Sequence, residues 1–294
     1  MVNVRKRSRY KLNPFTVGDL GIYVVILLLM AVTIYPILNV FAISLSSQSA
    51  ALMNPFMIIP KDLDLANYKW VLKHPLIWSS YRNTLVITVA GVFFSMALTT
   101  TFAYPLSIEG LRGKKFFTSV LIFTMFFNGG LIPNFYLIQS LGMYDTLFAL
   151  FIPGALSAYN TVLMCNFLKG IPSSLKEAAR IDGANETCLF FRIILPLSKP
   201  ILATLSLFYA VGKWNSFFEA VVYIREQEKW TLQLLLREIL FAAESILDDG
   251  TSTEITVEGM KYAVIMVSII PMMCIYPFIQ KYFTKGIMLG AVKG

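Results

Sequence analysis

The chain has 294 residues, of which 56% are hydrophobic and 14% are charged, and its mean hydropathy is +0.66. Because a soluble domain usually carries roughly 25% charged residues, this composition excludes a water-soluble globular protein and indicates one integral membrane domain. The formal net charge of +8 at pH 7 follows the predicted loops, as membrane orientation requires, so we predict no nucleic-acid partner.

Six apolar runs predict six membrane-spanning helices, because about 20 apolar residues cross the hydrocarbon core. The predicted spans cover residues 20–45, 83–108, 116–139, 146–168, 200–224 and 262–280. The third and fourth spans come from one long run in which Asp145 is the only charged residue, so its length requires a hairpin. A cleavable signal peptide is the alternative for the first run, but a signal core has only about 7–15 apolar residues. We therefore expect a retained span.

The distribution of Lys and Arg predicts the orientation of these spans. With the amino terminus in the cytoplasm, 16 of the 25 Lys and Arg residues lie on the inner side, eight lie in the longer outer loops, and Lys213 lies inside span five. This asymmetry predicts that both termini are cytoplasmic.

The predicted cytoplasmic loop at residues 170–196 has the signals of a short surface helix. Ser174 and Glu177 have the spacing of a capping box. The Glu-Ala-Ala triplet at residues 177–179 gives the helix small side chains, and Gly183 permits a tight turn. The spacing leaves two interpretations open, a helix that docks into a groove on a partner and a loop that only solvates charge.

The same loop carries a longer pattern, Glu-Ala-Ala, three residues, Gly, nine residues, Ile, one residue, Leu-Pro, formed by Glu177, Ala178, Ala179, Gly183, Ile193, Leu195 and Pro196. This pattern resembles the EAA signature of bacterial ATP-binding cassette (ABC) importer permeases. The triplet at residues 182–184 is similar to the carbohydrate-uptake (MalG-like) branch of that family. Residues 128–133 and 209–216 resemble a subgroup for oligosaccharide or polysaccharide uptake, and the resemblance covers most of the chain.

The resemblance implies an all-α integral membrane protein with the type I ABC importer permease fold, in which residues 1–294 form one permease domain with six transmembrane helices and a cytoplasmic coupling helix. It implies a function as the transmembrane subunit that moves a sugar, an oligosaccharide or polysaccharide, into the cytoplasm by alternating access. The ATPase-coupling residues would be Glu177, Ala178, Ala179, Asp182 and Gly183.

The implied partners are a second homologous permease subunit, two cytoplasmic ATPase subunits, an extracytoplasmic solute-binding protein, the sugar and membrane lipid. The chain contains no Gly-rich phosphate loop of the Gly-x-x-x-x-Gly-Lys-Ser/Thr type. We therefore expect no cofactor and no catalytic residue in this chain, with ATP and Mg²⁺ bound by the separate ATPase subunits. The implied location is the bacterial cytoplasmic (inner) membrane.

Two charged residues in span five, Lys213 and Glu219, flank an amide and aromatic side chains. Charged groups inside a membrane usually face protein or a water-filled cavity, and aromatic faces with nearby polar groups suit a sugar. We predict a translocation pathway that includes Lys213, Trp214, Asn215, Phe218 and Glu219 from span five, with Tyr159, Asn160 and Asn134. The alternative is that the two charges lie near the external interface and the aromatic rings pack between helices.

Other features predict structure more than function. Gly129, Gly130 and Pro133 interrupt span three, and residues 232–246 have the periodicity of an amphipathic external helix. The three cysteines share no metal-ligand spacing, so we expect no metal site. An ion-coupled secondary transporter or a channel is the first rival function, but we find no internal repeat. A membrane-embedded enzyme is the second, but we find no cluster of His, Asp, Glu or Cys.

Overall fold

The computed structural model describes residues 17–248 and 257–291, and side chains within residues 19–242, 259–275 and 277. In these residues the regular elements are helices, and Ser46 and Leu63 form an isolated β-bridge. Both chain ends lie outside the described residues, so the predicted cytoplasmic position of the termini stays a prediction.

The helices follow one another with short connections. The first half of the chain contains α1 (Val17–Ser44), α2 (Gln48–Met53), α3 (Ala66–Lys73), α4 (Ile77–Ser107), α5 (Lys114–Phe126) and α6 (Leu131–Ser140). The second half contains α7 (Ala158–Lys169), α8 (Ser173–Ile181), α9 (Glu186–Leu189), α10 (Leu195–Leu197), α11 (Lys199–Trp214), α12 (Phe218–Tyr223), α13 (Leu232–Asp248) and α14 (Val257–Ala291). Short 3₁₀ helices lie at Leu147–Leu150 and Gln227–Lys229, and Phe190–Ile194 is π-helical.

Two of the described helices, Asp19–Ser44 and Ile77–Ser107, are long and apolar enough to cross a membrane. Two further pairs of consecutive helical segments are long and apolar enough only when each pair is taken together. These are α5 with α6, bent by 115°, and Glu186–Leu197 with α11, bent by 78°. By length and composition, the described residues thus hold two spans, or up to four if each bent pair is one span. The count of six spans stays a prediction.

The predicted third span is broken where the sequence indicated an interruption. The chain leaves helical conformation after Phe126, and Gly130 has a φ of +90°. The Asn128 Oδ1 atom accepts a hydrogen bond of 2.9 Å from the Gly130 amide and thereby stabilises the turn. The predicted interruption at Gly129 and Gly130 is confirmed, and it reverses the chain direction more sharply than a kink.

The predicted fourth and fifth spans also differ from single helices. Residues 146–157 form a 3₁₀ turn and a loop in which Gly154 has a φ of +70°, so α7 begins only at Ala158. Pro153 has no amide hydrogen to continue a helix, and the Ser157 side chain caps α7 by accepting from the Asn160 amide at 3.3 Å. In span five the helix ends at Trp214, and α12 follows a short break.

Helix α4 lies at the centre of the bundle and packs against α7, α11 and α13. Its buried face carries small and polar residues, Ser80, Thr84, Gly91, Ser95 and Thr99. Small residues let membrane helices approach closely where larger side chains would hold them apart. In contrast, α1 packs on α14 and exposes apolar side chains from Leu20 to Leu38, as a lipid-facing helix does.

Candidate functional site

The helix α8 begins at Ser173 with Pro172 in the N-cap position and without a side-chain cap. The predicted capping box of Ser174 and Glu177 is therefore wrong. A capping box needs the N-cap amide hydrogen and a residue at the third helical position, but Pro172 has no amide hydrogen and Glu177 is the fifth helical residue. Glu177 is instead exposed in the middle of the helix.

The predicted turn at Gly183 is confirmed. Gly183 has a φ of +83°, and its amide donates to the Arg180 carbonyl at 3.0 Å. The Ala184 amide donates to the Ala179 carbonyl at 2.9 Å. These two bonds form a Schellman motif, which ends a helix with a left-handed residue that is usually glycine.

The predicted coupling residues lie together on α8 and its turn. Glu177, Ala178, Asp182 and Gly183 are exposed, whereas Ala179 is buried against the bundle in a cluster that includes Leu168 and Leu189. The apolar side chains of Leu175 and Ile181 are also exposed, at 45% and 86%. The helix thus presents an apolar and acidic surface that the described part of the chain leaves uncovered.

A hydrogen-bond network of three polar side chains joins this region to α4. The Arg180 guanidinium donates to Oε1 of Glu186 from Nε at 3.0 Å and from Nη2 at 2.7 Å. The other carboxylate oxygen of Glu186 accepts from the Tyr104 hydroxyl at 2.8 Å. The Tyr104 hydrogen bond, together with the adjacent Arg180, lowers the pKa of Glu186 below its ordinary value although burial opposes the change.

Two of the predicted pathway residues are turned into the bundle at the end of α11. The Lys213 ammonium donates to the Leu150 carbonyl at 3.1 Å. The Trp214 indole donates to the Ser268 carbonyl on α14 at 3.2 Å, and 3% of this residue is exposed. Both side chains therefore connect separate segments of the bundle. This arrangement favours a packing role over a pathway role for Lys213 and Trp214.

The next three predicted pathway residues are exposed on the surface of the helix bundle. Asn215 is exposed and donates to the Val211 carbonyl of its own helix at 3.0 Å. Phe218 is 58% exposed, and the exposed Glu219 accepts from the Ser216 hydroxyl at 3.2 Å. Within the described residues no ion pair joins Lys213 to Glu219.

The three predicted residues from spans three and four also divide between surface and interior. Tyr159 is 56% exposed at the start of α7, whereas the neighbouring Asn160 is buried. Asn134 lies on α6 and donates to Asn128 Oδ1 at 3.2 Å, across the break of span three. The exposed members of the predicted set are thus Tyr159, Asn215, Phe218 and Glu219.

A polar cluster lies at the Ile77 end of α4. Asp145, with a φ of +56°, accepts from the Arg225 and Glu226 amides at 3.0 and 3.1 Å, and the Lys229 ammonium lies 3.5 Å from its second oxygen. A cavity of about 520 Å³ adjoins this cluster and is lined in part by Arg82 and Asn83. The contact joins two loops that the charge distribution predicts on the same side of the membrane.

Comparison with known proteins then decides the family. The family described as "Binding-protein-dependent transport system inner membrane component" matches residues 12–289. The chain belongs to this family. Protein LplC of Bacillus subtilis (strain 168) is 40% identical over 267 residues, which cover 90% of each chain. The polygalacturonan/rhamnogalacturonan transport system permease protein YtcP of the same organism is 39% identical over 280 residues, 94% of this chain and 98% of that protein.

A solved structure agrees with this assignment. A chain of a bacterial ABC transporter involved in the import of the acidic polysaccharide alginate has a TM-score of 0.83 and 36% sequence identity, covering 92% of this chain and 100% of that chain. The chain is thus an all-helical, multi-pass permease subunit of a binding-protein-dependent ABC importer in the inner membrane, and it is not itself an ATPase. The predicted family, fold class and role are confirmed.

Sequence reasoning missed two groups of residues in this permease. Glu186 is not among the predicted site residues, although its position after the N-cap Asn185 places a carboxylate at a helix start. Tyr209 lies in the motif at residues 209–216 but is not a predicted site residue. Its hydroxyl lies 2.6 Å from the Thr99 hydroxyl and accepts from the Ser157 amide at 3.2 Å. No sequence pattern indicates the bond between Glu186 and Tyr104 or the bond between Tyr209 and Thr99, because each joins distant parts of the chain.

Proposed function

We propose that this permease moves an oligosaccharide or polysaccharide into the bacterial cytoplasm by alternating access. The relative YtcP is named for polygalacturonan and rhamnogalacturonan, and the solved relative imports alginate. The proposed assembly contains a second homologous permease, two cytoplasmic ATPase subunits that bind ATP and Mg²⁺, and an extracytoplasmic solute-binding protein.

The observation that carries this proposal is the uncovered surface of α8. Leu175, Ala178 and Ile181 recur at intervals of three residues, so they lie on neighbouring positions of the helix. All three are exposed, and the carboxylates of Glu177 and Asp182 lie beside them. An amphipathic helix of this kind docks by laying its apolar side chains into a groove. We assign that groove to an ATPase subunit, with Glu177 as the charged contact and Gly183 as the fixed turn.

For the translocation pathway we propose the exposed members of the predicted set. Tyr159 and Phe218 supply aromatic faces for the C–H surface of a sugar, and Asn215 and Glu219 supply polar groups for its hydroxyls. Lys213, Trp214 and Asn160 are buried or largely buried, and we assign them to the wall behind that surface. Asn134 supports the break in span three.

The proposed topology has six spans and cytoplasmic termini. In this arrangement the Asp145 cluster lies on the outer side, where its partners Arg225 and Glu226 are also expected. The Tyr104, Glu186 and Arg180 chain lies on the inner side together with α8. Each set of contacts therefore joins only segments assigned to one side of the membrane.

The test is purification of the reconstituted complex with Ile181→Glu in the permease. A charge placed in an apolar interface without a partner costs about 2–5 kcal/mol, so we expect the ATPase to dissociate and saccharide-stimulated ATP hydrolysis to disappear. The matched control is Leu63→Glu, because Leu63 is 77% exposed in the loop assigned to the outer side. ATPase binding that is equal in both variants would refute the assignment of α8. Uptake driven by an ion gradient without an ATPase would instead support a secondary transporter.

A further inference from the structure

The α8–α9 unit (residues 173–189) is anchored to α4 by one carboxylate that serves both elements. Glu186 receives Arg180 of α8 on Oε1 and Tyr104 of α4 on Oε2. The ring of Phe190 packs on the ring of Tyr104, with 5.0 Å between the centroids. Hydrogen bonds to an ionised carboxylate are shorter and stronger than those between neutral groups. Glu186 thus links α8, α9 and the end of α4 through its side chain, and the side chains of Arg180 and Glu186 are 48% and 55% exposed.

The helix α4 continues without a break from this anchor to the other side of the bundle. It has 31 residues, with Tyr104 in its last turn and Asn83 in its second turn. At a rise of 1.5 Å per residue, these two side chains are about 30 Å apart along the helix axis. The helix therefore connects the two ends without a non-helical residue, and its proline, Pro105, directly follows Tyr104.

The second end of α4 is attached to the segment at residues 228–232, which leads into α13. The buried Asn83 side chain donates to the Glu228 carbonyl at 2.7 Å and to the Trp230 carbonyl at 3.1 Å. The adjacent Thr84 hydroxyl accepts from the Leu232 amide at 2.8 Å and is fully buried. Two consecutive α4 residues thus hold three backbone groups of this segment.

We propose that α4 is a relay between the two membrane faces, and that Glu186 is the positioning residue that connects the ATPase-binding helix α8 to it. A movement of α8 passes through Arg180, Glu186 and Tyr104 into α4, and through Asn83 into segment 228–232. This inference rests on the proposed function for the identity of the partner that moves α8. It assigns to segment 228–232 the external response to ATP binding.

The competing route runs through the backbone alone, from α8 into α7 by the short loop at residues 170–172 and from α9 into α11. That route needs no side chain of Glu186 or Tyr104. The two routes are therefore separated by two variants that keep the side-chain volume. Tyr104→Phe removes the hydroxyl that donates to Glu186, and Glu186→Gln removes the charge that strengthens the hydrogen bonds from Tyr104 and Arg180. Coupling between distant sites has to be measured in this way, because connectivity alone does not demonstrate it.

The first experiment measures ATP hydrolysis of the complete reconstituted complex with and without saccharide-loaded binding protein. For Tyr104→Phe and Glu186→Gln we expect the stimulation ratio to fall about tenfold, a typical size for coupling between sites, while the ATPase still co-purifies. The double variant should lose little more than the more damaging single variant, because both changes weaken the same connection between Arg180, Glu186 and Tyr104. The controls are Tyr136→Phe, a 65% exposed tyrosine, and Glu109→Gln, an exposed glutamate just beyond α4.

The second experiment does not depend on the saccharide. Hydrogen–deuterium exchange of the complex is compared between the nucleotide-free state and the state trapped with ATP and vanadate. We expect protection to change in the wild type at residues 173–189 and at residues 228–232, and in Tyr104→Phe only at residues 173–189.

The outcomes separate the relay from the proposed function. Wild-type stimulation in both variants, or a response at residues 228–232 that survives Tyr104→Phe, overturns the relay and leaves the importer intact. A fall in stimulation that is additive in the double variant also overturns it, because the two residues would then act independently. A wild-type complex that traps nucleotide but ignores the loaded binding protein refutes the saccharide assignment, while the exchange data still decide the relay.

Discussion

The α8–α9 unit and the end of α11 use polar side chains in opposite ways. In the α8–α9 unit, Arg180 and Glu186 pair with each other, and the predicted coupling residues Glu177 and Asp182 are exposed. At the end of α11, Lys213 and Trp214 turn inward and donate to backbone carbonyls of other segments. The first region is thus an exposed surface, which we propose for the ATPase, and the second is a joint between helices.

This difference teaches that a charged residue in a membrane helix is not by itself a mark of the transport pathway. A lysine in a span usually faces protein or water, and Lys213 meets that rule by bonding to the Leu150 carbonyl. The carbonyl belongs to Leu150, the last residue of the 3₁₀ turn at the start of the predicted fourth span, and a helix end leaves carbonyl groups without helical partners. The break in one span and the charge in the next therefore compensate each other.

The largest loss of stability is expected from a substitution at Gly91, where the joint around Lys213 is most tightly packed. A Cβ atom on Gly91 would lie 3.1 Å from Phe151 Cβ and 3.2 Å from Lys213 Cγ. Gly91→Leu should therefore force both side chains away and destabilise the permease by about 3 kcal/mol or more, at the upper end for overpacking. The measurement is the thermal unfolding midpoint in detergent. Gly21→Leu on α1 is the control, since nothing lies within 4 Å of its Cβ position, and equal midpoints would show that the close approach is absent.

A smaller loss of stability is expected when Lys213 is replaced by an uncharged side chain of similar volume. Lys213→Met retains the aliphatic chain but leaves the buried Leu150 carbonyl without its donor, which should cost about 1–2 kcal/mol of stability. If Lys213 is a joint, the unfolding midpoint falls and the half-saturating concentration of loaded binding protein stays unchanged. An unchanged midpoint with altered half-saturation would return Lys213 to the pathway. Lys115→Met, an exposed lysine at the start of α5, serves as the control.

The contrast between the regions also explains what could be predicted from the sequence. The turn at Gly183 and the interruption at Gly130 depend on local backbone conformation, which glycine reveals without knowledge of the fold. The start of α7 at Ala158 was hidden, because the run before it is as apolar as a helix and only Pro153 and Gly154 signal the loop. The partner of Glu186 is Tyr104, 82 residues away, and the carbonyl that binds Lys213 is a backbone atom with no sequence signature.

The smallest effect is expected at the Asp145 cluster, which lies on the side of the bundle away from α8. Burial alone would raise the pKa of Asp145, but hydrogen bonds from the Glu226 and Arg225 amides and the nearby Lys229 ammonium together lower it below its ordinary value of 3.8. A carboxyl group whose pKa is lower in the folded state stabilises that state above its unfolded pKa, and the contribution is lost as the pH falls through the folded pKa.

We therefore expect Asp145→Asn to lower the unfolding midpoint at pH 7 and to match the wild type progressively as the pH falls below about 3.8, the ordinary pKa. The decrease is small because the asparagine oxygen can still accept the two amide hydrogen bonds, so only the charge is lost. Asp62→Asn is the matched control, since Asp62 is exposed and also has a positive φ, +49°. A midpoint difference that persists unchanged at low pH would mean that Asp145 acts through the shape of its turn and not through its charge, and the polar cluster would then resemble the Gly183 turn more closely than the Glu186 anchor.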